Sequence, residues 1–200
     1  TLLKIPSWWW MCFGIAFGSF VSYSFSAWQT KYLLLLNPDF NFQTLLIILG
    51  IINGTTYAGG TYLGARLADK WGAKNIRVYG WLPAIAISLC LPIGIASFWV
   101  PSIEAHLILT TLFLLFMGMY LGPSFAIAQT LAPINQRAMS TALFFFIFNL
   151  VALGGGPTIT GWMIDVFKDS SADLESTRYA LTVTCLMFIP SVLSFLVVAR

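Results

Sequence analysis

Six long stretches of the chain carry no Asp, Glu, Lys or Arg: 5–30, 40–65, 78–103, 105–136, 138–164 and 179–199. Charged residues gather in the short clusters between them. About 20 consecutive apolar residues carry a helix across the hydrocarbon core of a bilayer, and each stretch is long enough. The alternating segments of about 10 residues that mark a barrel strand do not appear. Backbone groups in lipid must be bonded within their own segment, which means helices here. The pattern predicts an all-α membrane protein, one bundle over residues 1–200, with spans at about 7–32, 42–68, 76–99, 107–132, 138–167 and 179–199.

Polar residues inside the spans are not spread evenly. The first span runs GIAFGSFVSYSFS through its middle, with Ser19 and Tyr23, and Ser22 and Ser26, each one turn apart. It begins at Trp8-Trp9-Trp10 and closes near Trp28 and Tyr32, an aromatic-belt placement. The second carries Asn53 and Tyr57, the fourth Met117, Tyr120 and Ser124, and the fifth Phe145 and Asn149, each set on one helix face. The third and sixth have few polar atoms and read as the peripheral, lipid-facing pair. Four GxxxG pairs, Gly14/Gly18, Gly50/Gly54, Gly60/Gly64 and Gly118/Gly122, predict close helix crossings. Pro123 predicts a kink in the fourth span, and Gly154-Gly155-Gly156-Pro157 a bend in the fifth.

Composition supports lipid as the main solvent. The chain is 58% hydrophobic and only 8% charged, against about 25% charged in a soluble domain. A net charge of +3 spread over so few groups speaks to orientation, not to nucleic acid. With Lys4 placed in the cytoplasm, Arg66, Lys70, Lys74, Arg77, Arg137 and Arg200 fall on the same side, and Lys31, Lys168 and Arg178 on the other. The positive-inside rule then puts both ends in the cytoplasm. The chain starts at Thr1 with no cleavable signal and reads as part of a longer protein. Cys12, Cys90 and Cys185 lie in apolar runs without metal spacing and read as small buried hydrophobes. No cofactor or metal is expected.

Spans two and five can be superposed at a shift of 96 positions. Asn53, Gly59, Gly60 and Asp69 then meet Asn149, Gly155, Gly156 and Asp165. The two spans run in opposite directions through the membrane. The same pattern in opposite orientation is what a 3+3 inverted repeat would leave; two Gly-rich helices alike by composition are the alternative.

The loop Ala65-Arg66-Leu67-Ala68-Asp69-Lys70-Trp71-Gly72-Ala73-Lys74 resembles the major facilitator superfamily motif G-x-L-A-D-R-x-G-R-K, with Ala65 and Ala73 departing from it. The segment Pro133 to Asp165, PINQRAMSTALFFFIFNLVALGGGPTITGWMID, is similar to the eleventh-helix region of the spinster-like branch, bacterial members included. Trp28 and Gly122-Pro123 fit the same branch. The resemblance covers essentially the whole chain. It implies one half of a major facilitator fold, the C-terminal half with helices seven to twelve. Its partner would be an N-terminal six-helix half of the same transporter, in the inner membrane of a bacterium. It also implies rocking of two bundles around a cavity lined by spans one, two, four and five.

Those are the four spans with polar residues in mid-membrane. Tyr23, Asn53, Tyr57, Tyr120, Ser124, Phe145 and Asn149 are therefore the candidate cavity residues, each open to the alternative of helix–helix adhesion. Asp69 could accept bonds from the N–H groups at a neighbouring helix start. With Lys70, Arg66 and Arg137 it forms a candidate conformational latch; the alternative is an interfacial acid balancing Lys70. His106 stands at the outer edge of the fourth span and reads as a solvated interfacial side chain, with a proton switch as the alternative.

No charged residue lies in mid-membrane, where one would mark a proton relay or an anion site. The expected solute is amphipathic or an organic anion, lysolipid- or sphingoid-like by resemblance, with proton coupling left to the other half. The alternatives are a facilitator for another organic acid or drug, or a six-helix membrane protein that transports nothing. An intramembrane serine hydrolase built on Ser124 would need a His at its depth, and His106 is far from it in the sequence. The chain is read as no enzyme.

Overall fold

The computed structural model describes residues 5–200 of the chain, so Lys4, used above for orientation, lies outside it. Six helices are long and apolar enough to cross a membrane: α1 Pro6–Leu36, α2 Phe42–Gly72, α3 Val78–Trp99, α4 Ile103–Thr130, α5 Ile134–Lys168 and α6 Asp173–Val198. Among the described residues there is no strand.

Local chemistry sets the helix ends. Pro6 opens α1 at a position where its missing N–H costs nothing. The Asn41 side chain caps α2 by accepting from the Thr44 N–H at 3.1 Å, and Ser102 caps α4 by accepting from the Ala105 N–H at 3.2 Å. The polar segment before Tyr179 is helical from Asp173 onward, earlier than hydrophobicity alone placed the sixth span. Asp173 and Glu175 sit in its first turn, where the dipole favours negative charge. The helix tightens at Leu186–Met187, where bonds span three residues, just ahead of Pro190. In α4 the helix continues through Pro123.

α2 and α5 share a feature that no other helix has. Each widens into a π-helical segment in mid-span, Asn53–Tyr57 in α2 and Asn149–Gly155 in α5. Both begin at the asparagine that the 96-residue shift aligns. Each asparagine donates its side-chain N–H to the carbonyl four residues back, Leu49 at 3.0 Å and Phe145 at 2.8 Å. The same two carbonyls also accept the backbone N–H of Asn53 and Asn149, so each side chain adds a second bond to them.

Packing repeats the same symmetry. α2 lies along α4, α5 lies along α1, α3 packs on α4, and α6 packs on α1. Glycines make the two equivalent seams. A methyl group on Gly60 or Gly64 would overlap the carbonyl oxygens of Leu115 and Met119 in α4, and one on Gly118 would overlap the Tyr57 carbonyl in α2. On Gly156 it would lie 2.6 Å from the Phe20 carbonyl in α1. So Gly60/Gly64 and Gly118/Gly122 interlock in one seam, and Gly14/Gly18 take Phe195 and Ser191 of α6. Gly50/Gly54 face open space. The sixfold bundle is therefore a 3+3 inverted repeat, α1–α3 matched by α4–α6.

Burial is uneven among the six helices. Of the most apolar window in each helix, 50% is buried in α3 and 39% in α6, but only 11% in α2 and 22% in α5. α3 and α6 are wedged against α4 and α1. The outer flanks of α2 and α5 are the bare ones, carrying Ile47, Ile51, Phe146, Leu150 and Trp162 exposed.

Candidate functional site

Between α1, α2, α4 and α5 lies a cavity of about 570 Å³. Its two sides differ in chemistry. One is polar and neutral: Ser19, Ser22, Tyr23 and Ser26 along one stripe of α1, with Asn53 and Tyr57 of α2 beside them. The other is hydrocarbon and aromatic: Leu121 and Phe125 of α4 with Phe145 and Phe148 of α5. Phe125 and Phe145 stack at 5.4 Å, and Tyr23 meets Phe148 at 5.9 Å across the cavity. Among the described residues no charged side chain lines it, and neither α3 nor α6 contributes a residue.

The wide turn of α2 sets the polar side. Asn53 commits its amide N–H to Leu49, which leaves its Oδ1 as an acceptor toward the cavity. Ser22 lies beside Tyr57. On α1 the Ser19 hydroxyl is held by the Tyr120 hydroxyl at 2.5 Å. Tyr120 itself is fully buried behind the wall, and so is Ser124, whose hydroxyl donates to the Tyr120 carbonyl at 2.6 Å.

Of the candidates read from the sequence, Tyr23, Asn53, Tyr57 and Phe145 come together around this space. Tyr120 and Ser124 support it from the second layer. Asn149 lies elsewhere, in an open hollow of about 530 Å³ on the flank of α5 with Phe146, Leu150 and Leu153. Ser19, Ser22, Ser26, Phe125 and Phe148 line the cavity without having been singled out. The two serine-bearing i,i+4 pairs of α1 were the signal for the first three. Nothing distinguishes Phe125 and Phe148 among the chain's 17 phenylalanines.

Two tryptophans fasten α1 to α5 on either side of the cavity. The Trp8 indole N–H donates to Ser140 Oγ at 2.7 Å, and Ser140 donates on to the Ala128 carbonyl of α4 at 3.0 Å. The Trp28 indole N–H donates to the Pro157 carbonyl at 3.0 Å. Its ring lies over Gly161, where a methyl group would come within 2.7 Å of it.

The latch candidates lie at the α2–α3 turn and the start of α5. Asp69, Arg66, Lys70 and Arg137 are all exposed. Asp69 accepts from the Tyr79 hydroxyl of α3 at 3.4 Å. Lys168 and Asp173 form an ion pair at 3.1 Å near the opposite end.

His106 overturns its expectation. It is not solvated but wholly buried, packed among Phe25, Tyr32 and Phe98. The apolar window around it gave no sign of this, because the partners come from α1 and α3.

No profile of a known protein family matches the chain. Over its whole length it is 26% identical to an MFS-type efflux pump of Mycolicibacterium smegmatis, of which it spans 46%. Its fold matches a bacterial homologue of the human lysosomal transporter Spinster in two inward-facing crystal structures, one occupied and one unoccupied. The TM-scores are 0.88 and 0.87, at 20% and 21% identity, over 98% of this chain. The matches take in 50% and 48% of those chains, so this chain spans about half the length of the proteins it resembles. With six helices in an inverted repeat and a cavity among α1, α2, α4 and α5, the chain has the fold of one six-helix half of that bacterial Spinster homologue.

Proposed function

We propose that this chain is the C-terminal half of a secondary transporter, and that its cavity forms one wall of the passage for a small amphipathic or organic-anion solute. The observation that carries the proposal is the division of the cavity into a hydroxyl-and-amide side on α1–α2 and an aromatic side on α4–α5. Such a surface takes a hydrogen-bonding group on one flank and a hydrocarbon body on the other. A lysolipid- or sphingoid-like solute has that shape. The wall carries no charge, so an anionic head group and any proton coupling fall to the N-terminal half.

The mechanism is alternating access by rocking of the two halves. The bare flanks of α2 and α5 face the other half, and Asp69 with Arg66, Lys70 and Arg137 forms a latch at the cytoplasmic side that holds one state. The protein lies in the inner membrane of a bacterium with both ends of this segment in the cytoplasm.

The test is uptake by the full-length protein in liposomes, with fluorescent lysolipid and sphingoid base as substrates. Tyr57→Ala and Phe148→Ala are expected to raise KM about tenfold, the loss of roughly 1.4 kcal/mol of contact. No uptake of either solute, or unchanged KM in both variants, overturns the reading. A second reading, export of a drug-like organic solute, is favoured by the efflux pump among the relatives. Export from intact cells of a solute that liposomes carrying lysolipid do not exchange would select it.

A further inference from the structure

We infer that His106 is a proton-binding pin that ties α1, α3 and α4 together at the end of the bundle opposite the 66–77 loop, and that acid releases it. The side chain has 0% exposure. Its Nδ1 lies 2.6 Å from the Ser97 carbonyl oxygen of α3. A carbonyl only accepts, so Nδ1 carries the proton. Nε2 lies 3.5 Å from Nε2 of Gln29 in α1, and the same amide nitrogen donates to Thr110 Oγ1 of α4 at 3.1 Å. The neutral ring therefore accepts from Gln29 and donates to Ser97, and it closes a bonded circuit through three helices.

A second proton breaks that circuit. It places a donor on Nε2 facing the Gln29 amide nitrogen, itself a donor, and it puts a charge in a fully buried site. Among the described residues, the groups around the ring offer no counter-ion. α1 presents Gln29 and Tyr32, whose hydroxyl donates to the Phe98 carbonyl at 2.7 Å. α3 presents Ser97 and Phe98, and α4 presents Thr110. α6 presents Arg178, beside the Tyr32 hydroxyl and 5.3 Å from the Trp99 ring centroid. The ionised group that the described residues bring near the site is thus a cation. Glu104, two residues before His106, is exposed, and Asp173 is paired with Lys168. A buried charge in this position is costly unless it is paired. Protons therefore bind the opened form in preference to the closed one.

The pin connects to the cavity through one side chain. Phe25 stacks on His106 with an angle of 5° between the rings, and it also contributes to the cavity lining. Release of His106 frees Phe25 and with it the α1 stripe that carries Ser22 and Ser26.

The experiment is amide hydrogen exchange of the full-length protein in nanodiscs between pH 8 and pH 5, corrected for the intrinsic rate. Segments 25–33 and 97–110 are expected to open more as pH falls below about 6.5, by up to about tenfold per pH unit. His106→Gln is expected to flatten this response. Gln29→Glu sets a carboxylate opposite Nε2 and is expected to remove or reverse it. A flat wild type, or the same rise in His106→Gln, overturns the inference. Where His106→Gln does not fold, the same rise in Gln29→Glu as in wild type overturns it. The readout is independent of transport, so failure here is distinguishable from failure of the transporter reading.

Discussion

α2 and α5 are the same device built twice and fastened in two ways. Each has a wide turn opened by an asparagine, and each lies on its neighbour through glycine, α2 on α4 and α5 on α1. α5 adds indole clamps to α1, at Trp8–Ser140 and Trp28–Pro157. The α2–α4 seam is made by backbone contact at Gly60, Gly64 and Gly118. The asparagines diverge too, with Asn53 at the cavity and Asn149 on the bare flank. An inverted repeat thus fixes the helix paths while leaving each copy free to differ in what holds it and what it presents. The difference teaches that α5 is tied to α1, whereas α2 depends on the fit of two backbones.

The strongest way to break the comparison is to fill the seams. Gly64→Leu and Gly156→Leu are each expected to cost about 3 kcal/mol or more, since backbone rather than a flexible side chain stands in the way. The check is yield of monodisperse protein and its melting in detergent. Gly50→Leu, where the structure leaves open space, is expected to leave the α2–α4 seam intact in the same assay. Equal losses at Gly50 and Gly64 would remove backbone fit as the cause.

Next come the clamps that only α5 has. Trp8→Phe and Ser140→Ala are each expected to lower stability by about 1–2 kcal/mol. Trp8 and Ser140 touch, so their double-mutant cycle should show coupling of about 1 kcal/mol. Additive losses would mean that the indole is held by packing alone.

The asparagines give a smaller effect that separates the two helices by function. Asn53→Leu and Asn149→Leu remove the same local carbonyl bond, so both are expected to cost about 1 kcal/mol of stability. Asn53→Leu is expected to raise KM for transported solute about fivefold beyond that. Asn149→Leu is expected to leave KM unchanged. Equal KM effects would place both asparagines in the passage.

The smallest expected effect concerns the loop end of α2. Asp69→Asn in the full-length protein is expected to lower transport and to shift thiol accessibility between the two faces. The local Tyr79 bond is exposed and long at 3.4 Å, so stability should move by less than about 0.5 kcal/mol. Unchanged transport with unchanged accessibility counts against a latch.

Much of the fold was legible because a bilayer leaves the chain few options. Charge-free runs of the right length can only be helices, and two of the four GxxxG pairs, Gly60/Gly64 and Gly118/Gly122, mark a seam where backbones meet. The aligned asparagines showed the repeat before any coordinate did. The site was less legible. Tyr23, Asn53 and Tyr57 were found because a polar side chain in an apolar run needs a reason to be there. The aromatic side was hidden, since Phe125 and Phe148 look like every other phenylalanine. Tyr120 and Asn149 lie on the helix faces read from the sequence, and helix rotation sets Tyr120 behind the wall and Asn149 in a neighbouring hollow that Phe145 also lines.

By itself, then, the sequence determined the solvent, the six crossings and the two-copy design, since all three follow from where charge is absent and where side chains are small. Tertiary structure alone decided which polar groups meet. His106 is the clearest case. Its neighbours in the chain leave it open to water, and only the approach of Gln29 and Ser97 from two other helices gives its ring nitrogens their partners.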